Sequence, residues 1–104
     1  MSTSLIINKL PQAERDLLDI WSYTARHWGE QKADEYLDEL LDTLNRVALR
    51  HLAFPLKTDF KPAVRMALCN RHVLICQTDD LGVTLIRVMH QSANLAAYLS
   101  EESN

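Results

Sequence analysis

The side chains able to do chemistry gather late in this 104-residue chain. Arg65, Arg71, His72, Arg87 and His90 all fall in its second half, with Lys57 and Lys61 just before them. Cations beside histidines can grip a phosphate and move protons, which is what RNA cleavage requires. The same groups can equally grip the carboxylates of a protein partner. No nucleophile motif, P-loop, dinucleotide fingerprint or metal-ligand spacing accompanies them. Cys69 and Cys76 lack CxxC or Cys/His spacing and read as ordinary core thiols of a cytosolic protein. No cofactor and no metal are expected.

Taken singly, these residues leave two readings open. Arg87 sits amid apolar neighbours, so it is either functional or a structural arginine held by an acid from the helices. Strand alternation puts it on the face of Leu85 and Met89, and puts His90 with Ile86 and Val88. His72 and His90 read equally as hydrogen-bonded structural histidines. His27 and His51 lie near expected helix C-termini, where a cation is locally favoured, and carry no functional weight.

The elements that must position these groups are legible from periodicity. Residues 4–10 read as a first strand, with Leu5, Ile6 and Ile7 as strand formers. Pro11 suits the first turn of a helix. Ala13, Leu17, Ile20, Trp21, Thr24 and Trp28 recur at steps of three and four and mark one buried face over about 11–28. Gly29 can cap that helix. A second helix over about 30–51 carries the stripe Ala33, Tyr36, Leu37, Leu40, Leu41, Leu44, Val47 and Ala48, opposite an acidic face. Residues 52–62 form the one substantial loop, with Phe54 and Phe60 tucked under it and Lys57 and Lys61 outward.

Strands follow over about 63–69, 71–78 and 83–90, with a short turn at 95–99. Asn70 tolerates the left-handed geometry of a turn. The run His72–Gln77 suits a central strand covered on both sides. Asp79-Asp80-Leu81-Gly82 is a hairpin signal. The expected fold is one α+β domain over 1–104, ordered β-α-α-β-β-β. A two-helix antiparallel hairpin packs on a three- to four-stranded antiparallel sheet.

No apolar run approaches the roughly 20 residues of a membrane helix, and the N-terminus does not read as a signal peptide. Net charge is −3, unevenly spread: residues 1–42 carry an excess of acids and residues 43–98 an excess of bases. That polarity either reflects solvated helix faces or suits a charged partner surface.

Two blocks of residues resemble a known family. Asp16-Leu17-Leu18-Asp19-Ile20-Trp21-Ser22-Tyr23-Thr24-Ala25, with His27-Trp28-Gly29-Glu30 and Ala33-Asp34-Tyr36, is similar to the helical hairpin of ParE toxins, in the RelE/ParE superfamily of toxin–antitoxin modules. Val64-Arg65, Asn70-Arg71-His72-Val73, Asp80-Leu81-Gly82-Val83 and Ile86-Arg87-Val88-Met89-His90 resemble that family's closing strands. The chain departs from the pattern at Pro55-Leu56-Lys57-Thr58, at Asn70, at Cys76 and at Ala93-Asn94.

The resemblance implies a small cytoplasmic bacterial toxin of plasmid-stabilisation type. Such a toxin inhibits DNA gyrase by stabilising cleaved DNA complexes, without a catalytic site or sequence-specific nucleic-acid binding of its own. It is neutralised by a ParD-like antitoxin that lays a helix into a groove beside the hairpin. Arg65, Arg71, His72, Arg87 and His90 are the positions expected to face target or antitoxin. The alternatives are a RelE-type, ribosome-dependent mRNA endoribonuclease using Arg65, Arg87, His90 and Tyr98, and a non-toxic relative that still binds an antitoxin. The acidic net charge weighs against the nuclease, because ribosomal RNA is a polyanion.

Overall fold

The computed structural model describes residues 6–93. The start of the expected first strand, the turn expected at 95–99 and Tyr98 lie outside the described residues. Two helices dominate the first half. Helix α1 (Pro11–Trp28) opens with Pro11, whose missing N–H costs nothing in a first turn. It stops at Gly29, whose φ of 94° few other residues adopt comfortably. Helix α2 (Glu30–Leu49) starts at once, so the pair forms a tight antiparallel hairpin. Trp21 Nε1 donates to Asp34 Oδ1 at 2.8 Å and ties the two helices together.

The strands are β1 (Ile6–Lys9), β2 (Leu56–Lys57), β3 (Val64–Cys69), β4 (His72–Asp79) and β5 (Gly82–His90). They form one sheet in the order β1-β5-β4-β3-β2. The α+β layering matches the sequence reading, while the sheet is wider and mixed rather than purely antiparallel. β1 pairs parallel to β5, and a two-residue strand inside the expected 52–62 loop adds the far edge. The second helix also ends before residue 51, and a 3₁₀ turn at His51–Ala53 takes over.

The main core lies between helices and sheet. Ala13 and Leu17 of α1 and Leu40, Leu44, Val47 and Ala48 of α2 meet Ala67, Cys69, Leu74, Cys76, Val83, Leu85 and Val88. Each large apolar side chain buried there stabilises by roughly 1.5–3 kcal/mol before entropy is charged. The sheet's other face is also apolar, where Val64, Ile75, Ile86 and Met89 pack with Phe60 and Met66. β4 is therefore central and covered on both sides, as its unbroken apolar run predicts.

Two sequence expectations are corrected. A β-bulge sets Cys76 opposite Leu85 but Ile75 opposite Arg87, so Ile86 is an extra residue in β5. Alternation restarts there, and Leu85 and Val88 share the helix side while Ile86 and Met89 share the other. Arg87 therefore does not share a face with Leu85, nor His90 with Ile86. Trp28, expected in the buried helix face, is 65% exposed. It sits in the last turn of α1, beyond the sheet that would cover it.

Candidate functional site

Helix α2 holds the β3–β4 turn. Tyr36 and Glu39, one turn apart, both face it. Asn70 takes the left-handed conformation of the turn, with φ 54°. Its Nδ2 donates to Glu39 Oε2 at 2.6 Å. The Tyr36 hydroxyl reaches the Cys69 carbonyl oxygen at 3.3 Å. The Arg71 carbonyl accepts from the backbone N–H of Gln91 at 2.8 Å, which joins the turn to the end of β5. Arg71 is thus presented as an exposed cation on a fixed backbone.

His72 follows, directly opposite His90 across the β4–β5 ladder. The two rings meet edge-on with centroids 5.6 Å apart. His72 Nδ1 lies 2.6 Å from the Tyr36 hydroxyl. His90 Nδ1 accepts from the Ser92 backbone N–H at 3.1 Å and lies 2.8 Å from its hydroxyl. Burial, then the neighbouring His90, holds the His72 imidazole below the ordinary histidine value. Burial above all, with the adjoining Cys69 and Glu39, raises the Tyr36 hydroxyl. In the free protein His72 therefore charges only at a lower pH than an ordinary histidine.

These groups form one end of a groove of about 1060 Å³ between the hairpin and the sheet. Helix α1 supplies Asp19, Ile20, Tyr23, Thr24, Arg26 and Trp28 to its walls; α2 supplies Lys32 and Tyr36. Asn70, Arg71, His72 and His90 close it from the sheet. Tyr23 is half-exposed, and its ring packs against His27 and Trp28, with centroids 4.2 and 6.3 Å away. Among the described residues, the groove therefore has an aromatic wall with Ile20, the cations Arg26, Arg71 and a Lys32 paired with Glu35 at 3.6 Å, and the acid Asp19. That combination suits an amphipathic helix carrying acidic side chains.

Of the five residues singled out from sequence, Arg71, His72 and His90 line this groove. Arg65 and Arg87 do not. Arg65 donates from Nη1 to the Phe54 carbonyl at 2.8 Å and from Nε to Thr78 Oγ1 at 3.1 Å. Arg87 is held by Asp16 at 2.8 Å, the structural pairing that the sequence left open. Helical spacing assigns Tyr36 and Trp28 to the core; Tyr36 does pack against it while also lining the groove, whereas Trp28 is exposed, and Arg26 and Lys32 carry no sequence signal. For Trp28, a position that is apolar by period but exposed at the helix end reads the same as a core position. Among the described residues, no group of three or more His, Cys, Asp or Glu is placed to hold a metal ion. No helix among them is long and apolar enough to cross a membrane.

Comparison with known proteins agrees with this architecture. Residues 7–95 match the family model described as the ParE toxin of the type II toxin–antitoxin system parDE. Toxin ParE1 of Caulobacter vibrioides is 32% identical over 88 residues, which cover 85% of this chain and 91% of the relative. Toxin ParE of Escherichia coli is 29% identical over 91 residues, 86% of this chain and 88% of that one. A solved structure titled "Chromosomal ParDE TA system from P. aeruginosa" superposes with a TM-score of 0.70 at 12% identity, covering 83% of this chain and 95% of that one. At that identity the superposition speaks to the fold alone. The family match over nearly the whole chain, on this helical hairpin and mixed sheet, places the protein in the ParE toxin family of type II toxin–antitoxin systems.

Proposed function

We propose that this chain is neutralised by a ParD-like antitoxin whose helix lies in the groove between hairpin and sheet, and that its target when free is DNA gyrase. The groove carries the first part. Its aromatic wall and the cations at its rim suit an amphipathic acidic helix, and it lies beside the family's signature hairpin. The second part rests on family membership, since ParE-like toxins are gyrase poisons.

The endoribonuclease alternative is less favoured. Two of its four side chains, Arg65 and Arg87, are engaged in holding the fold, and Arg87 is tied to a carboxylate that opposes phosphate binding. The non-toxic alternative keeps the same groove and differs only in growth on induction.

The decisive assay combines purified gyrase, plasmid DNA and stoichiometric toxin. Supercoiling is expected to fail while cleaved gyrase–DNA complexes accumulate, and added antitoxin should restore activity. Unchanged supercoiling with no cleaved complex would remove gyrase as the target. Cuts in translated mRNA in a reconstituted translation reaction would favour the nuclease instead.

A further inference from the structure

We propose that the antitoxin seats a carboxylate against the His72–His90 pair, and that the complex takes up a proton when it does so. The inference rests on the reading of the groove as the antitoxin site, and adds the chemistry of one contact within it.

The hydrogen bonding around His72 carries the argument. The Tyr36 hydroxyl has two acceptors in reach, His72 Nδ1 at 2.6 Å and the Cys69 carbonyl at 3.3 Å. When His72 is neutral, the hydroxyl can donate to Nδ1. When His72 is protonated, Nδ1–H can donate to the hydroxyl oxygen, and the hydroxyl turns to Cys69. Both states of the ring are satisfied without moving a heavy atom, so protonation leaves no buried polar group unpaired.

Charge around the pair favours an anionic occupant. Helix α1 turns Asp19 and Arg26 to the groove, α2 Lys32 and Tyr36, and the sheet Asn70, Arg71, His72 and His90. Glu39 beside Tyr36 is already occupied by Asn70. Cys69 is buried behind the turn, and Ser92 engages the far side of His90. Among the described residues, Asp19 is the acid lining the groove, against Arg26, Arg71 and a Lys32 already paired with Glu35 at 3.6 Å, and neither of these acids pairs with His72 or His90. A carboxylate supplied by the partner supplies the missing charge. Its arrival favours imidazolium at the pair, and the proton comes from solvent.

Calorimetry of full-length toxin with its ParD-like antitoxin, in buffers of different ionisation enthalpy, reads this directly. Between about pH 6 and about pH 8, net uptake of up to about one proton is expected, with affinity tightening by up to about tenfold per unit of acidification. His72→Asn and His90→Asn should bind with uptake reduced or lost. Tyr36→Phe keeps both imidazoles but removes the relay hydroxyl, and should lower the uptake while circular dichroism stays native. Binding by the wild type with no buffer-dependent heat would overturn the inference and leave the antitoxin reading standing. Failure to bind at any pH would sink that reading itself. A short single-stranded oligonucleotide that displaces the antitoxin with the same proton uptake would replace the carboxylate by a phosphate and overturn the proposal.

Discussion

Asp16 and Arg87 are 71 residues apart in sequence and form a two-pronged ion pair. Arg87 Nε donates to Asp16 Oδ2 at 2.8 Å and Nη2 donates to Oδ1 at 3.1 Å. Asp16 Oδ2 also accepts the backbone N–H of Val88 at 3.0 Å. The site has a topological cause. β1 leaves β5 after Lys9 pairs with Leu85, and the second turn of α1 brings Asp16 to the edge just vacated. The carboxylate continues the sheet's bonding where the parallel strand stops.

Asp16→Ala should therefore be among the most damaging single changes. It leaves a guanidinium only 11% exposed without its carboxylate, and strips Val88 N–H of its acceptor. Losing one member of a buried pair costs about 3–5 kcal/mol. Natural domains have only about 5–15 kcal/mol to lose. Urea denaturation of the variant should show that loss in the midpoint. Pairing Asp16→Ala with Arg87→Met removes the guanidinium that has lost this carboxylate, and should recover part of the loss. A double variant no more stable than Asp16→Ala would mean that the Val88 contact, not the charge, dominates.

What the sequence could and could not tell follows from which interactions are local. Helix periodicity, Pro11, Gly29 and the Asp79–Gly82 turn are local signals, and each marks a real feature. Asp79 Oδ1 accepts from the N–H groups of Leu81 and Gly82, as turn chemistry predicts. Gly82 has a second reason that no local reading reveals. A Cβ there would run into the Ile6 carbonyl, because β1 crosses in parallel beside it. Sheet order, the bulge at Ile86 and the choice of Asp16 as the partner of Arg87 all depend on residues far apart in the chain. The lining of the groove is hidden for a related reason. Trp28 follows the core period yet is exposed in the last turn of α1, while Tyr36 packs against the core as its period predicts and turns only its hydroxyl end to the groove.

Arg71 stands on the groove rim, exposed, on a turn fixed by backbone bonds rather than by its own side chain. Arg71→Glu should leave stability within about 0.5 kcal/mol of wild type. It should slow association with the antitoxin by roughly tenfold at low salt and weaken the salt dependence of that rate, as rim charges do. Stopped-flow association at two ionic strengths measures both. An unchanged rate would place the antitoxin's acidic groups elsewhere.

Cys76 is fully buried between the helices and the sheet, and burial pushes its thiol up to about 12. The unfolded chain ionises such a thiol near about 8.5. The folded state therefore holds its proton more tightly than the unfolded state does between those values. This stability contribution is intact at neutral pH and drains away as pH rises from about 9 toward 12, at up to about 1.4 kcal/mol per unit. Cys76→Ala should lose that alkaline slope. In the native wild type, Cys76 should resist a thiol reagent at neutral pH until denaturant is added, and prompt labelling would contradict its assigned burial.

His72 makes the free protein sensitive to acid in the opposite sense from a salt-bridged histidine. Burial and the facing His90 keep its folded value below the ordinary 6.5. Below that ordinary value the unfolded chain binds more protons than the folded one, so stability falls with pH until the folded ring also titrates. Above it the contribution is constant. His72→Asn lacks a titrating ring, so the difference in midpoint between wild type and variant should be flat above neutrality and shrink on acidification. An occupied groove should reverse this behaviour, because a neighbouring carboxylate raises the bound ring. Denaturation of the free toxin and of its antitoxin complex across the same pH range would then show opposite slopes near His72's titration. Parallel slopes would mean that no anion reaches the ring.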